Sequence, residues 1–287
     1  MIEIRNSRLN VKMHRPGEGY SGSRFDWNGF ITDVVLDGKH VFCADESLVP
    51  GVGSGGRGIC NEFGIHSPIG YIDAKIGEGF PKIGTGILEK TGDEDYNFFK
   101  PYPVKPFESD ISCTDSSVSF KVKSMECRGY SVSYAKEISV GGNRLTISYR
   151  LGNTGRKPIE TTEYCHNFIN LDKKSIGPDY ELSFPFKLRG EAVPDVFSVT
   201  NDRINWQSIP ENEFYWVPLG FEKEAAGLYW ELNDLKRGIG IREDCCFPVE
   251  RIAIWGKAHV VSPEVFIHIS LAPGEEMAWK RIYTFLA

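Results

Sequence analysis

An imidazole and a carboxylate can both take up and give back protons near neutral pH, and two stretches of this chain each carry one of them among aromatic rings. In VSPEVFIHISLA, residues 261–272, Val265, Ile267, Ile269 and Leu271 alternate with Glu264, Phe266, His268 and Ser270. Successive side chains of a strand point to opposite faces, so the purely apolar set belongs against a core and the mixed set toward a groove. In IETTEYCHNF, residues 159–168, the same parity places Glu160, Thr162, Tyr164, His166 and Phe168 on one face, again rings mixed with polar groups. Sugars suit such surfaces, because rings meet their C–H faces and polar side chains meet their hydroxyls.

Other chemistries find less support. His66, His259 and His268 show no close ligand spacing, so no metal site is expected. GVGSGG, residues 51–56, has the letters of a dinucleotide fingerprint but follows Pro50 with no helix after it, and reads as a flexible loop. Neither G-x-x-x-x-G-K-[ST] nor G-x-S-x-G occurs. The net charge is −6 and the basic residues are scattered, which argues against a nucleic-acid partner. Seven cysteines without a C-x-x-C pair read as core residues of a reduced, intracellular protein. Residues 1–10 carry Glu3, Arg5 and Arg8 with no apolar run of a signal peptide, and no window of about 18 apolar residues could span a membrane. A cytoplasmic chain with no membrane partner is expected, its oligomeric state open.

The elements that must position the reactive side chains are strands. Aromatics make up 13% of the chain, with 30 glycines and 16 prolines, a mixture suited to pleated surfaces joined by turns. Val118, Phe120 and Val122 alternate with polar residues, as do Tyr130, Val132 and Tyr134, and Leu145, Ile147, Tyr149 and Leu151. Gly141-Gly142-Asn143 and Gly152-Asn153-Thr154-Gly155 separate the runs as turns. Residues 108–171 therefore predict a strand–turn–strand series in one antiparallel sheet. Residues 222–233 (EKEAAGLYWELN) fit a short helix or a strand equally, and residues 51–86, rich in glycine, predict long loops. The expectation is an all-β chain of two large packed, mostly antiparallel sheets, with residues 1–287 as a single domain.

Several segments resemble the aldose 1-epimerase (galactose mutarotase-like) family. EYCHNFINL, residues 163–171, is similar to the family's N-H-x-Y-F-N-L strand: His166, Asn170 and Leu171 match, Phe168 replaces the Tyr, Ile169 the Phe, and Cys165 stands where an Asn is usual. The ending VVSPEVFIHISLAPGEEMAWKRIYTF resembles the family's L-x-P-G-E turn and last strand, with Glu264 just upstream, although the usual L-E-T-Q surroundings are missing. GRGICNEF loosely resembles a sugar-binding G-R-x-x-N-R stretch through Arg57 and Asn61. The L-H-G-G motif is absent, and FPKIGTG offers Lys82 at that place in the order. The resemblance implies a large mutarotase-like β-sandwich in which His166 is the general acid and Glu264 the general base, with Arg57, Asn61 and Lys82 as substrate-binding residues. Phe168, Phe266 and His268, by parity, would line the groove. It implies interconversion of the α and β anomers of a small-molecule aldose through its open chain, a reaction that needs no cofactor. The missing L-H-G-G motif favours an alternative, a carbohydrate-binding protein on the same fold without turnover. A third option is another carbohydrate enzyme, such as a lyase or a hydrolase accessory domain.

Overall fold

The computed structural model describes residues 1–221 and 227–287. The start of the stretch that could be helix or strand therefore lies outside the described residues, and its end, Tyr229–Asp234, is strand. Among the described residues there is no helix, hence none long and apolar enough to cross a membrane, and every strand pairing is antiparallel. The first sheet runs Ile2–Arg5, Leu9–Met13, Ile31–Leu36, Ile59–Phe63, Ile159–Asn167, Val260–Leu271, Arg251–Lys257 and Phe214–Trp216, with His40–Val41 beside Ile31–Leu36. The second runs Phe197–Thr200, Arg203–Trp206, Tyr180–Ser183, Tyr229–Asp234, Ile239–Cys246, Glu276–Leu286, Arg144–Asn153, Val132–Gly141, Ser117–Lys123 and Glu108–Cys113. A small third sheet holds Gly79–Lys82, Gly86–Glu89 and Val104–Pro106.

The alternating runs pair consecutively from Glu108–Cys113 to Arg144–Asn153, as their period requires. The next strand departs from the expected series. Ile159–Asn167 leaves the second sheet and enters the first, between Ile59–Phe63 and Val260–Leu271. Its composition explains the switch. Glu163 to Asn167 are all buried, so this strand needs cover on both faces, whereas the meander strands alternate buried with exposed positions. Ile59–Phe63 corrects a second expectation. It lies inside the glycine-rich stretch read as loops, and all five of its residues are buried, so it carries no alternation to betray a strand.

Between the sheets the apolar set Val265, Ile267, Ile269 and Leu271 packs into one core with Ile138, Ile147 and Leu151. A polar seam interrupts this core. Fully buried Arg281 donates to Glu163 at 2.8 Å and to Glu243 at 2.7 Å. Glu163 also accepts from Asn61 Nδ2 at 2.6 Å and Trp279 Nε1 at 3.2 Å, and Glu243 from Trp230 Nε1 at 2.7 Å. Lys136 continues the seam, donating to Asn61 Oδ1 at 2.6 Å and lying 3.3 Å from Asp26. The seam thus grips the back of Ile159–Asn167 from the second sheet. Removing one partner of a buried ion network leaves the others charged without compensation, at a cost of roughly 3–5 kcal/mol. Arg281→Met is therefore expected to lower unfolding stability in urea by roughly that amount. A loss below about 1 kcal/mol would show that the seam contributes only surface-like pairing.

Candidate functional site

Strand register positions the site, on the face of the first sheet turned away from the core. Tyr164 lies opposite Glu62 on one side and Phe266 on the other, and Phe266 in turn lies opposite Arg251. Two residues along, His166 is paired with Cys60 and Glu264 with Ala253. The same pairing carries His166 and Glu264 side by side, and His166 Nε2 lies 3.2 Å from Glu264 Oε1. Ser262 Oγ accepts the Asn167 N–H at 2.9 Å and sits 3.4 Å from Glu264 Oε1, tying the carboxyl to the neighbouring backbone.

Rings enclose the pair. Phe168 stacks parallel on the imidazole with centroids 3.8 Å apart, and Phe25 and Trp255 present their edges to it. Phe266 stacks on Tyr164 at 4.4 Å. The loop 51–56 serves this box: Gly56 passes so close that a Cβ there would lie 2.3 Å from the Phe168 ring. Glu46 holds that loop by accepting from the backbone N–H groups of Ser54 at 2.8 Å and Gly56 at 3.0 Å.

A charged cluster borders the rings. Glu62 accepts from Arg24 Nε at 2.9 Å, Lys82 Nζ at 3.1 Å and the Tyr164 hydroxyl at 2.8 Å. Arg24 also donates to Ser54 and to Tyr164, and its guanidinium lies 4.4 Å from the centroid of Phe98. The Tyr20 hydroxyl shapes the segment that delivers Arg24, accepting from the N–H groups of Arg24 and Phe25. Phe98, in an irregular segment, packs on the cluster of Ile65, Tyr164, Ala253 and Phe266. Under this cover His166 is 4% and Glu264 5% exposed. The surroundings are nonetheless polar, since Glu62, Arg24 and Lys82 are buried with them.

Burial sets the protonation of the pair. Loss of water pushes Glu264 up to about 8, against the opposing pull of Arg24 and Arg251. The same loss, reinforced by the positive charges of Arg24 and Lys257, drives His166 well below the usual imidazole range. Burial thus favours the uncharged form of each group, a protonated carboxyl beside a neutral imidazole across the 3.2 Å contact. That resting state is the reverse of the acid and base roles the resemblance implies. His166 Nδ1 is buried and has no hydrogen-bond partner among the described residues.

Lys82, Phe168 and Phe266 thus gather around His166 and Glu264, and three other expected residues do not. Arg57 projects from a bridge elsewhere and spans Asp33 at 3.0 Å and Asp45 at 3.1 Å. Asn61 faces the inter-sheet seam, because it alternates with Glu62 and takes the core side. His268 shares parity with Glu264 but lies four residues along, about 13 Å away on an extended strand, where it pairs with Glu160 at 3.0 Å on the surface. Sequence reasoning misses Arg24, Glu62, Ser262 and Trp255. Parity could have found Ser262 on the face of Glu264, whereas Glu62 lies on a strand without alternation and Arg24 in an irregular segment without periodicity. Among the described residues no three His, Cys, Asp or Glu side chains gather as a metal would require.

No protein-family profile and no curated protein matches the sequence. Solved structures do resemble the fold. A putative aldose 1-epimerase from Escherichia coli K12 is 11% identical, with a TM-score of 0.62 over 99% of this chain and 97% of that one. A galactose mutarotase related enzyme from Lactobacillus acidophilus is 14% identical, with a TM-score of 0.62 over 100% and 97%. A galactose mutarotase-like protein from Lactobacillus casei is 16% identical, with a TM-score of 0.61 over 99% of both chains. The chain therefore has the galactose mutarotase-like fold.

The protonation of Glu264 has a consequence for stability. In the unfolded chain it ionises near its ordinary 4.5, and in the fold it keeps its proton to about 8. Between those values the folded state binds more protons, so this residue's contribution to stability falls as pH rises through the window. Every tenfold gain in proton affinity on folding is worth about 1.4 kcal/mol. Glu264→Gln is expected to flatten the fall, matching the wild type in acid and exceeding its stability in alkali, as read from urea midpoints across pH. Parallel profiles for the two proteins would contradict a protonated Glu264.

Proposed function

We propose that the protein is a carbohydrate-active isomerase that interconverts the α and β anomers of an aldose, with His166 and Glu264 as its acid–base pair. The observation that carries this reading is the 3.2 Å contact between the two side chains, boxed by rings on the outer face of a mutarotase-like sheet.

Ring opening moves two protons in opposite directions. The anomeric hydroxyl gives up a proton as C1 becomes a carbonyl, and the ring oxygen gains one as the C1–O bond breaks. With Glu264 ionised and His166 protonated, Glu264 takes the first proton and His166 supplies the second. The products are a neutral imidazole, a protonated carboxyl and the open-chain aldehyde. Rotation about C1–C2 and reversal of both transfers close the other anomer and restore the pair. The neutral tautomer that burial favours is therefore the partner of the open-chain intermediate, and the reactive tautomer differs from it by one proton hop between Glu264 and His166. Arg24 supports ionisation of Glu264, and Trp255, half-buried beside His166, offers a ring against which a pyranose would lie.

A second reading, sugar binding without turnover, draws on the same rings. The near-complete burial of the pair favours it, because a sugar must displace cover such as Phe98 to reach Glu264.

Kinetics separate the two. Polarimetry or NMR exchange on a panel of reducing sugars should show accelerated anomer equilibration, with His166→Ala and Glu264→Gln each costing about 10²–10⁴-fold. Unchanged rates in both variants would remove the site assignment, and saturable binding without acceleration would favour the binding reading. The rate should also fall as pH rises through about 8, where the shared proton is lost. A profile flat across that value would place the reactive proton elsewhere.

A further inference from the structure

The charges around the His166–Glu264 pair do not cancel, and this bears on the substrate class of the isomerase reading, on which the inference rests. Among the described residues Glu62 alone bridges Arg24 and Lys82, which leaves one cationic side chain of this buried trio in excess. Arg251 adds a second. It lies opposite Phe266 on the adjacent strand, and its guanidinium sits 4.0 Å from the centre of that ring. Its polar contact is the Tyr215 hydroxyl at 3.4 Å, and among the described residues no carboxylate stands within ion-pair distance of it. Lys257, by contrast, is matched by Glu213 at 3.2 Å. Tyr215 is 52% exposed and His66 is exposed, which puts Arg251 at the open rim.

An arginine held flat on a ring keeps its planar fork ordered, and that fork matches a carboxylate or a phosphate with two parallel hydrogen bonds. Arg251 is a diagonal cross-strand neighbour of Glu264, a separation of about 7–8 Å, within the reach of one hexose and its exocyclic carbon. We propose that the substrate is an aldose bearing an anionic group, phosphate or carboxylate, remote from its anomeric carbon. The anion docks on Arg251 at the rim while the reacting end meets His166 and Glu264.

The test compares D-glucose, D-glucose 6-phosphate and D-glucuronate by NMR exchange, each with a parallel binding measurement by tryptophan fluorescence. The kcat/KM for at least one anionic sugar should exceed that for glucose by about tenfold or more, and which one identifies the anion. In Arg251→Gln the ratio of anionic to neutral kcat/KM should fall about tenfold, with partial recovery in Arg251→Lys, which keeps the charge and loses the fork. Equal turnover of neutral and anionic sugars, or a loss in Arg251→Gln that leaves the ratio unchanged, would overturn the inference while leaving the isomerase reading intact. Selective binding of an anionic sugar, abolished by Arg251→Gln but without acceleration of any sugar, would uphold the inference and remove the isomerase. Neither acceleration nor selective binding would overturn both.

Discussion

The 3.2 Å approach of His166 and Glu264, away from water, is the constraint on which the rest of the structure depends. Burial penalises the charged form of each group and drives both toward neutrality. Keeping them there requires a strand covered on both sides. The first sheet supplies it, with the inter-sheet core behind Ile159–Asn167 and the ring box, Arg24 and Phe98 in front. The switch of Ile159–Asn167 out of the meander follows from that need.

The polar seam has its place in the same scheme. Glu163, Cys165 and Asn167 face inward while Tyr164, His166 and Phe168 face outward, so the anchor and the site occupy alternate residues of one strand. Arg281, Asn61, Trp279 and Tyr283 fix the inward residues through hydrogen bonds to Glu163 and Asn167. A slip of one residue would exchange the two sets, burying His166 among the seam's charges and turning Glu163 toward the rings. The buried ions thus define register at a site where register sets the distance between the imidazole and the carboxyl.

Much of this was legible in the sequence. The alternation of Val265, Ile267, Ile269 and Leu271 with Glu264 and Phe266 marked both the core face and the site face of one strand, and the meander from residue 108 to 153 followed from the same period. What was hidden had physical causes. Ile59–Phe63 is buried on both faces, so it shows no period and merged with its glycine-rich surroundings. Arg24 reaches the site from an irregular segment organised by the Tyr20 hydroxyl, a contact that no local pattern signals. Arg57 and Asn61 resembled a sugar-binding motif in order, but strand parity turns Asn61 toward the seam and two aspartates hold Arg57 elsewhere. The resemblance carried the fold and the approach of His166 and Glu264 further than it carried the identity of the surrounding groups.

The location of the proton is the point at which the account meets experiment most directly. Site-resolved NMR of the His166 ring nitrogens and the Glu264 carboxyl carbon, in the full-length protein at neutral pH, reads it without reference to any substrate. The expected spectrum shows a neutral imidazole beside a protonated carboxyl that ionises near 8. An imidazolium facing a carboxylate at neutral pH, or a Glu264 that ionises near its ordinary 4.5, would contradict it.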